Sequence, residues 1–240
     1  MIPKLRAYLY LAVFIPLTFG LSACALLSTF FDRSDSGRNY AWFARLWARL
    51  ALALSGSCVT LHGSENLPPG PVIFMSNHQS NFDILALLVT MPRHIHWIAK
   101  KELFDIPVFG LSMRRGGYIP LDRGDGRKAM RSMDDAARMI RNGRSVVMFP
   151  EGTRSPDGRL LPFKRGGFIL ARKAGVPVVP VTINGSGRIN PANQTRLTPG
   201  RIDVFLHQPI IPPAGASRGD AENLMMEQVR STIESQLGRF

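Results

Sequence analysis

Apolar and polar positions divide the chain into three stretches. Residues 7–31 form an uncharged run of 25. As a helix this run reaches about 37 Å, enough to cross the hydrocarbon core of a bilayer. Pro16 and Gly20 interrupt it, which a membrane helix tolerates better than a soluble one. Residues 40–56 are amphipathic instead. Arg45 and Arg49 share a face, while Trp42, Phe43, Leu46, Trp47, Leu50 and Leu54 supply apolar surface. That pattern fits a helix lying in the headgroup plane and, equally, a helix packed on a folded domain.

After the turn Pro68-Pro69-Gly70-Pro71, short runs rich in Val and Ile alternate with helical stripes. Strands are predicted over 72–75, 96–99, 146–149, 178–183 and 202–206, with a further short one just before Arg123. Helices are predicted over 84–90, 127–142, 167–174 and 221–237. In the second of these, Met130, Met133, Ala137 and Ile140 fall on one stripe, and Gly143 follows its end. Strands alternating with helices predict an α/β domain, a mostly parallel sheet flanked by helices on both faces. Functional loops then belong at the strand ends. The chain divides into N-terminal membrane-associated helices over 1–60 and a domain over 61–240.

Lys4 and Arg6 precede the first apolar run, and Leu21-Ser22-Ala23-Cys24 resembles a lipoprotein cleavage box, so a cleaved signal peptide is the rival reading there. The apolar run continues past Cys24, and a retained membrane segment is expected. Basic residues on both sides leave its topology open, monotopic or single-span.

Composition excludes several classes. Apolar content is ordinary at 45%, and two cysteines, Cys24 and Cys58, rule out a disulfide-rich scaffold or a four-cysteine zinc site. The net charge of +13 points to an anionic partner. Residues 100–175 hold 17 basic and 8 acidic side chains, so most of the excess sits in the middle of the chain. No basic tail of the kind that grips nucleic acid is present.

Three segments carry candidate chemistry. In Ser76-Asn77-His78-Gln79-Ser80-Asn81-Phe82-Asp83, a carboxylate at a helix start can reach back to a histidine ring and hold its tautomer, making His78 a general base and Asp83 its orienter. The plain alternative is an aspartate favoured by the helix N-terminus. In Phe149-Pro150-Glu151-Gly152-Thr153-Arg154-Ser155, Pro and Gly bracket a carboxylate, and Arg154 offers a fork suited to phosphate. A tight turn with a surface Glu151–Arg154 ion pair explains it equally well. Lys164-Arg165-Gly166-Gly167 sets two cations before a helix start, where an anion can bind. Gly117-Tyr118-Ile119-Pro120-Leu121-Asp122-Arg123 places Arg123 past a strand, with Arg114, Arg115, Lys100 and Lys101 upstream; a solvated basic face is the default for these.

Taken together, in order, these segments resemble the glycerolipid acyltransferase family over roughly residues 60–210. Asn77, His78 and Asp83 match its first motif, and Gly117 and Arg123 its second, with Pro120 where an aromatic or aliphatic residue is usual. Residues 149–155 match the third in full, and Val176-Pro177-Val178-Val179-Pro180-Val181 matches the fourth. The resemblance implies a glycerol-3-phosphate acyltransferase-like fold. It also implies transfer of a fatty acyl group from a thioester, acyl-CoA or acyl carrier protein, to the sn-2 hydroxyl of 1-acyl-sn-glycerol-3-phosphate, with no cofactor and no metal. His78 and Asp83 are then catalytic. Arg154, Arg123, Lys100 and Lys164 are candidates for the acceptor phosphate, and Glu151, Gly152 and Thr153 complete the substrate side. Glu151 either meets the glycerol or holds Arg154. The implied place is the cytoplasmic face of the inner membrane, with membrane lipids as partners and no nucleic acid. Other lysolipids or glycerol-3-phosphate remain alternative acceptors.

Two rivals come from other classes. His94 and His96, two apart on a strand, share a face as metal ligands can, but lack a third ligand at recognisable spacing. A non-enzymatic basic protein binding membranes or nucleic acid would use the central charge, yet no helix-turn-helix, zinc-finger or RNA-binding signature accompanies it.

Overall fold

A computed structural model describes residues 2–31, 38–122, 124, 126–213 and 217–238. Helices α1 (Ile2–Phe31) and α2 (Arg38–Ser55) come first. They are followed by β1 (Cys58–His62), β2 (Ile73–Ser76), α3 (Phe82–Thr90), β3 (Ile95–Lys100), α4 (Phe109–Arg115), β4 (Ile119–Leu121), α5 (Gly126–Arg141), β5 (Ser145–Met148), α6 (Gly166–Ala174), β6 (Val178–Asn184), α7 (Ser186–Ile189), β7 (Arg201–Leu206) and α8 (Arg218–Gln236). The strands form one sheet in the order β1-β7-β6-β2-β5-β3-β4.

The sheet is parallel at every junction except β6–β7. Only the one-turn α7 and a loop connect β6 to β7. Without a crossover helix the chain returns antiparallel beside the strand it has just left. The five Val/Ile-rich runs are β2, β3, β5, β6 and β7. Strands β2, β5 and β6 are buried along their whole length, as strands covered on both faces must be. Alternation along the strands divides the core. Phe74, Trp97, Val147, Val179 and Val181 face α1, α2, α3 and α4. Ile73, Met75, Ile98, Val146 and Met148 face α5, α6 and α8. Pro120 lies in β4, the outermost strand, where a missing N–H costs no ladder bond.

The second helix is packed on the domain. Ala48, Ala51 and Leu52 of α2 are buried in the same core as the sheet. Arg45, a candidate for the headgroup plane, instead donates to the Met91 and Arg93 carbonyls just past α3 (2.9 and 3.3 Å). A guanidinium there satisfies carbonyls that the helix end leaves open. Trp47 donates from Nε1 to Thr18 Oγ1 (2.9 Å), joining α2 to α1. At the other end of α1, Arg6 donates to the Ser55 carbonyl (2.9 Å), and the Leu197 N–H donates to the Pro3 carbonyl. Helix α1 therefore lies along the domain from end to end, with Leu5, Leu9, Val13 and Ile15 on its outer, exposed side.

Two histidines sit away from the active-site loops, His96 buried and His207 half-buried. His96 packs beside the Ser145 carbonyl, and His207 shares a 2.8 Å hydrogen bond with Thr182. Loss of solvent around each ring holds both below the usual value of 6.5. The unfolded chain therefore binds more protons than the native one once pH falls below about 6.5, so acidification costs stability. Between about pH 7.5 and 5 the thermal midpoint should drop, by about 2–4 °C for each kcal/mol lost. His96→Phe/His207→Gln should flatten that slope, and an unchanged slope would refute the assignment.

Candidate active site

The sheet order brings the chemistry together. Strands β2 and β5 are neighbours, so the loop leaving β2 and the loop leaving β5 lie side by side at their C-terminal ends, with the end of β3 beyond. The chain passes from β2 to β3 over the later-inserted β5, and such a crossing leaves a crevice at the strand ends.

The first loop is pinned at both ends. Buried Asn77 extends the ladder with its side chain: Nδ2 donates to the Ile183 carbonyl (2.8 Å) and Oδ1 accepts from the Ile183 N–H (2.7 Å). Ser80 Oγ donates to the Asn190 carbonyl (2.7 Å) and Gln79 Nε2 to the Gly158 carbonyl (3.1 Å). Asp83, fully buried in the first turn of α3, accepts three bonds at Oδ2: the Gln79 and Ser80 N–H groups (2.7 and 2.8 Å) and His78 Nδ1 (2.8 Å). A carboxylate oxygen so used makes Nδ1 the protonated ring nitrogen and leaves Nε2 as the acceptor. Phe149 fixes the ring plane, stacked on His78 with centroids 3.8 Å apart and planes 7° from parallel.

Glu151 is the clamp between the loops. It is 2% exposed, and its two oxygens accept the His78 N–H (2.7 Å) and the Leu161 N–H (2.8 Å). Burial pushes its carboxyl above the usual range, and the two N–H bonds pull against that. The Ser155 N–H closes the same junction on the His78 carbonyl (2.7 Å). Glu151 thus meets neither Arg154 nor the cavity. Arg154 donates to Asn81 Oδ1 (3.1 Å). Gly152 has φ +72, and a Cβ there would come within 3.0 Å of the Lys164 stem, so a left-handed turn and a close cation both require glycine.

His78 lines a cavity of about 720 Å³. Gly152, Thr153, Arg154, Lys164 and Lys100 line its polar part, with Lys100 paired to Glu102 at 3.2 Å. The rest is apolar: Leu21 and Ala25 of α1, Phe43 and Trp47 of α2, and Met113 and Met133 complete it. Of the residues singled out from sequence, His78 and Asp83 are bonded to each other, and Lys100, Gly152, Thr153, Arg154 and Lys164 share this cavity. Arg123 lies outside the described residues. His94 and His96 have adjacent rings (centroids 4.3 Å apart). Among the described residues, no three His, Cys, Asp or Glu side chains converge as a metal ion requires. Sequence reasoning missed the Phe149 stack, the Glu151 clamp and the helical wall from α1 and α2. Phe149 and Glu151 flank Pro150 in plain sight, but the partner they share, His78, lies over 70 residues away.

A mixed sheet with an oriented His–Asp pair at its strand ends, beside an apolar cavity rimmed with cations, defines a class built for base-assisted transfer to or from an amphiphile. The acyltransferase family model matches residues 58–184, and the chain belongs to that family. Over 206 residues it is 38% identical to the chloroplastic 1-acyl-sn-glycerol-3-phosphate acyltransferase BAT2 of Brassica napus, covering 85% of this chain and 57% of that protein. A Chlamydomonas reinhardtii 1-acyl-sn-glycerol-3-phosphate acyltransferase is 34% identical over 225 residues, 91% of this chain and 67% of that one. The chain thus spans about half to two thirds of the length of these relatives. The crystal structure of the 1-acyl-sn-glycerophosphate (LPA) acyltransferase PlsC from Thermotoga maritima superposes with a TM-score of 0.83 at 30% identity, covering 100% of this chain and 98% of that one.

Proposed function

We propose that this protein transfers a fatty acyl group from an acyl thioester to the sn-2 hydroxyl of 1-acyl-sn-glycerol-3-phosphate, forming phosphatidic acid. One observation carries the reading: an oriented histidine, its Nε2 left as acceptor, lines a largely apolar cavity with a cationic rim. The names of its relatives support the same acceptor. An alcohol is a poor nucleophile, so His78 Nε2 accepts its proton as the oxygen bonds to the thioester carbonyl. The negative tetrahedral oxygen then needs fixed donors, for which Lys100, Lys164 and the backbone near Gly152 are candidates. Collapse breaks the C–S bond, and His78 returns the proton to the thiolate. Asp83 holds the tautomer and stabilises the transient imidazolium. Arg154, with whichever of Lys164 and Lys100 does not face the tetrahedral oxygen, takes the acceptor phosphate. The donor is acyl-CoA or acyl carrier protein; the basic surface suits both. Helix α1, one described helix long and apolar enough to cross a membrane, instead lies flat with its outer side in lipid, at the cytoplasmic face of the inner membrane.

Purified protein in detergent, offered several lysolipids with each donor, tests the reading. Transfer to lysophosphatidate should exceed all others, and preference for an acceptor without a phosphate monoester would overturn it. Arg154→Ala should raise KM for lysophosphatidate about 10–100-fold, with Arg154→Lys between, because a point charge replaces a two-pronged one. An unchanged KM would remove Arg154 from the phosphate site.

A further inference from the structure

We propose that residues 101–115 form a second lipid-seated element, separate from α1, whose outer edge enters the bilayer while its inner side walls the cavity. This segment is a 3₁₀ turn, Lys101–Asp105, followed by α4. Its two sides differ sharply. Phe104, Gly110, Ser112 and Met113 are buried, and Leu103, Phe109, Ser112 and Met113 line the cavity. On the other side Ile106 is 36%, Val108 37% and Leu111 51% exposed, and Leu103, which also lines the cavity, is 37% exposed. Three large apolar residues facing out within six positions, with Leu103 exposed close by, are more than the scattered exposure of an ordinary surface.

The exposed edge is held rigidly. A Cβ on Gly110 would come within 2.2 Å of the Phe104 carbonyl oxygen, so α4 sits directly on the turn. The Arg114 guanidinium donates to that same carbonyl (3.4 Å) and stacks over the Phe104 ring at 5.3 Å. Val108 stands at φ +62, a conformation disfavoured for a β-branched residue, and even so presents its isopropyl group outward.

The occupant follows from continuity and charge. Helix α4 packs against α1, whose outer side carries Leu9, Val13, Ile15 and Phe19 exposed, so the two apolar edges belong to neighbouring helices. Lys100, Lys101, Arg114 and Arg115 flank the apolar edge, the first three paired with Glu102, Asp122 and Asp105 (3.2, 3.4 and 3.7 Å), which leaves one positive charge in excess. An apolar edge framed by an excess of cations fits an anionic bilayer, with the cations at headgroup level. Because the inner side of the same segment walls the cavity, a lipid acceptor passes from bilayer to His78 along one element. That delivery role rests on the acceptor proposed above.

Insertion is read without turnover. In a Cys24→Ser/Cys58→Ser background, Ile106→Cys carrying an environment-sensitive fluorophore should shift to the blue on adding phosphatidylglycerol–phosphatidylcholine vesicles. Val13→Cys on α1 should shift likewise, and Asp135→Cys on α5 should not. A shift at 13 without one at 106 overturns the second element; no shift at either overturns α1 as well. For delivery, Ile106→Asp/Leu111→Asp should raise KM about tenfold or more for vesicle-borne acceptor and leave it unchanged in mixed micelles. An equal KM for parent and variant in vesicles overturns delivery. Failure of the proposed reaction is distinguishable, since the parent would then transfer nothing in either presentation while the fluorescence readout still reports.

Discussion

Replacing His78 by alanine is expected to lower acyl transfer by about 10²–10⁴-fold, the usual worth of a positioned general base, with the fold intact. The side chain is 13% exposed, and its polar contact is Asp83. Its backbone N–H and carbonyl bonds, to Glu151 and Ser155, do not depend on the ring. Asp83 keeps the Gln79 and Ser80 N–H bonds, so the loop stays closed and the loss is chemical. Asp83→Asn should fall in a similar range, because an amide no longer stabilises the imidazolium. The double variant should be little worse than His78→Ala, since the aspartate acts through the ring. Steady-state rates on detergent-solubilised protein, with circular dichroism on the same samples, check this. Near-normal transfer by His78→Ala would remove the histidine from the mechanism.

The second large effect is expected at Glu151. Its carboxylate accepts two backbone N–H groups from two loops, and glutamine offers one acceptor and one donor. Glu151→Gln therefore leaves one buried N–H facing an NH₂, at a cost of about 1–3 kcal/mol. The mismatch falls on the His78 N–H or on Leu161, and either displaces the loop that aims Nε2. A shift of about 1 Å there costs on the order of 10²-fold in rate. The signature is a fall in kcat with KM for lysophosphatidate nearly constant, together with a lower thermal midpoint. Glu151→Asp should behave alike, since the shorter side chain cannot span both donors. A raised KM with unchanged stability would instead restore a glycerol contact for Glu151 and defeat the clamp.

Both predictions concern residues visible in the sequence, but only one role was legible there. The His78–Asp83 relation spans five residues across one strand–helix turn, so local geometry sufficed to propose it. Glu151 sits in an equally plain motif, yet its neighbour Arg154 suggested a surface ion pair, while its partners are the backbone of His78 and Leu161. Backbone donors carry no residue signature. Arg45 shows the same limit: its apolar flanks suit a headgroup plane, and its bonds to the end of α3 appear only once α2 is packed. Strand β1 and helix α4 were not predicted, the first a short mixed-polarity edge strand, the second a seven-residue helix with glycine inside it.

By itself the sequence determined the alternation of strands and helices, the apolar first helix, the His78–Asp83 pair and the central concentration of positive charge. Each is a matter of periodicity, short spacing or composition, which the chain carries locally. The tertiary structure decided that β2 and β5 are neighbours, which brings His78 onto Phe149 and Glu151 beneath it. It also laid α1 along the domain and turned 101–115 so that one side lines the cavity and the other faces out. Those outcomes depend on strand order and on which helix face is covered, and long-range packing, not local preference, sets both.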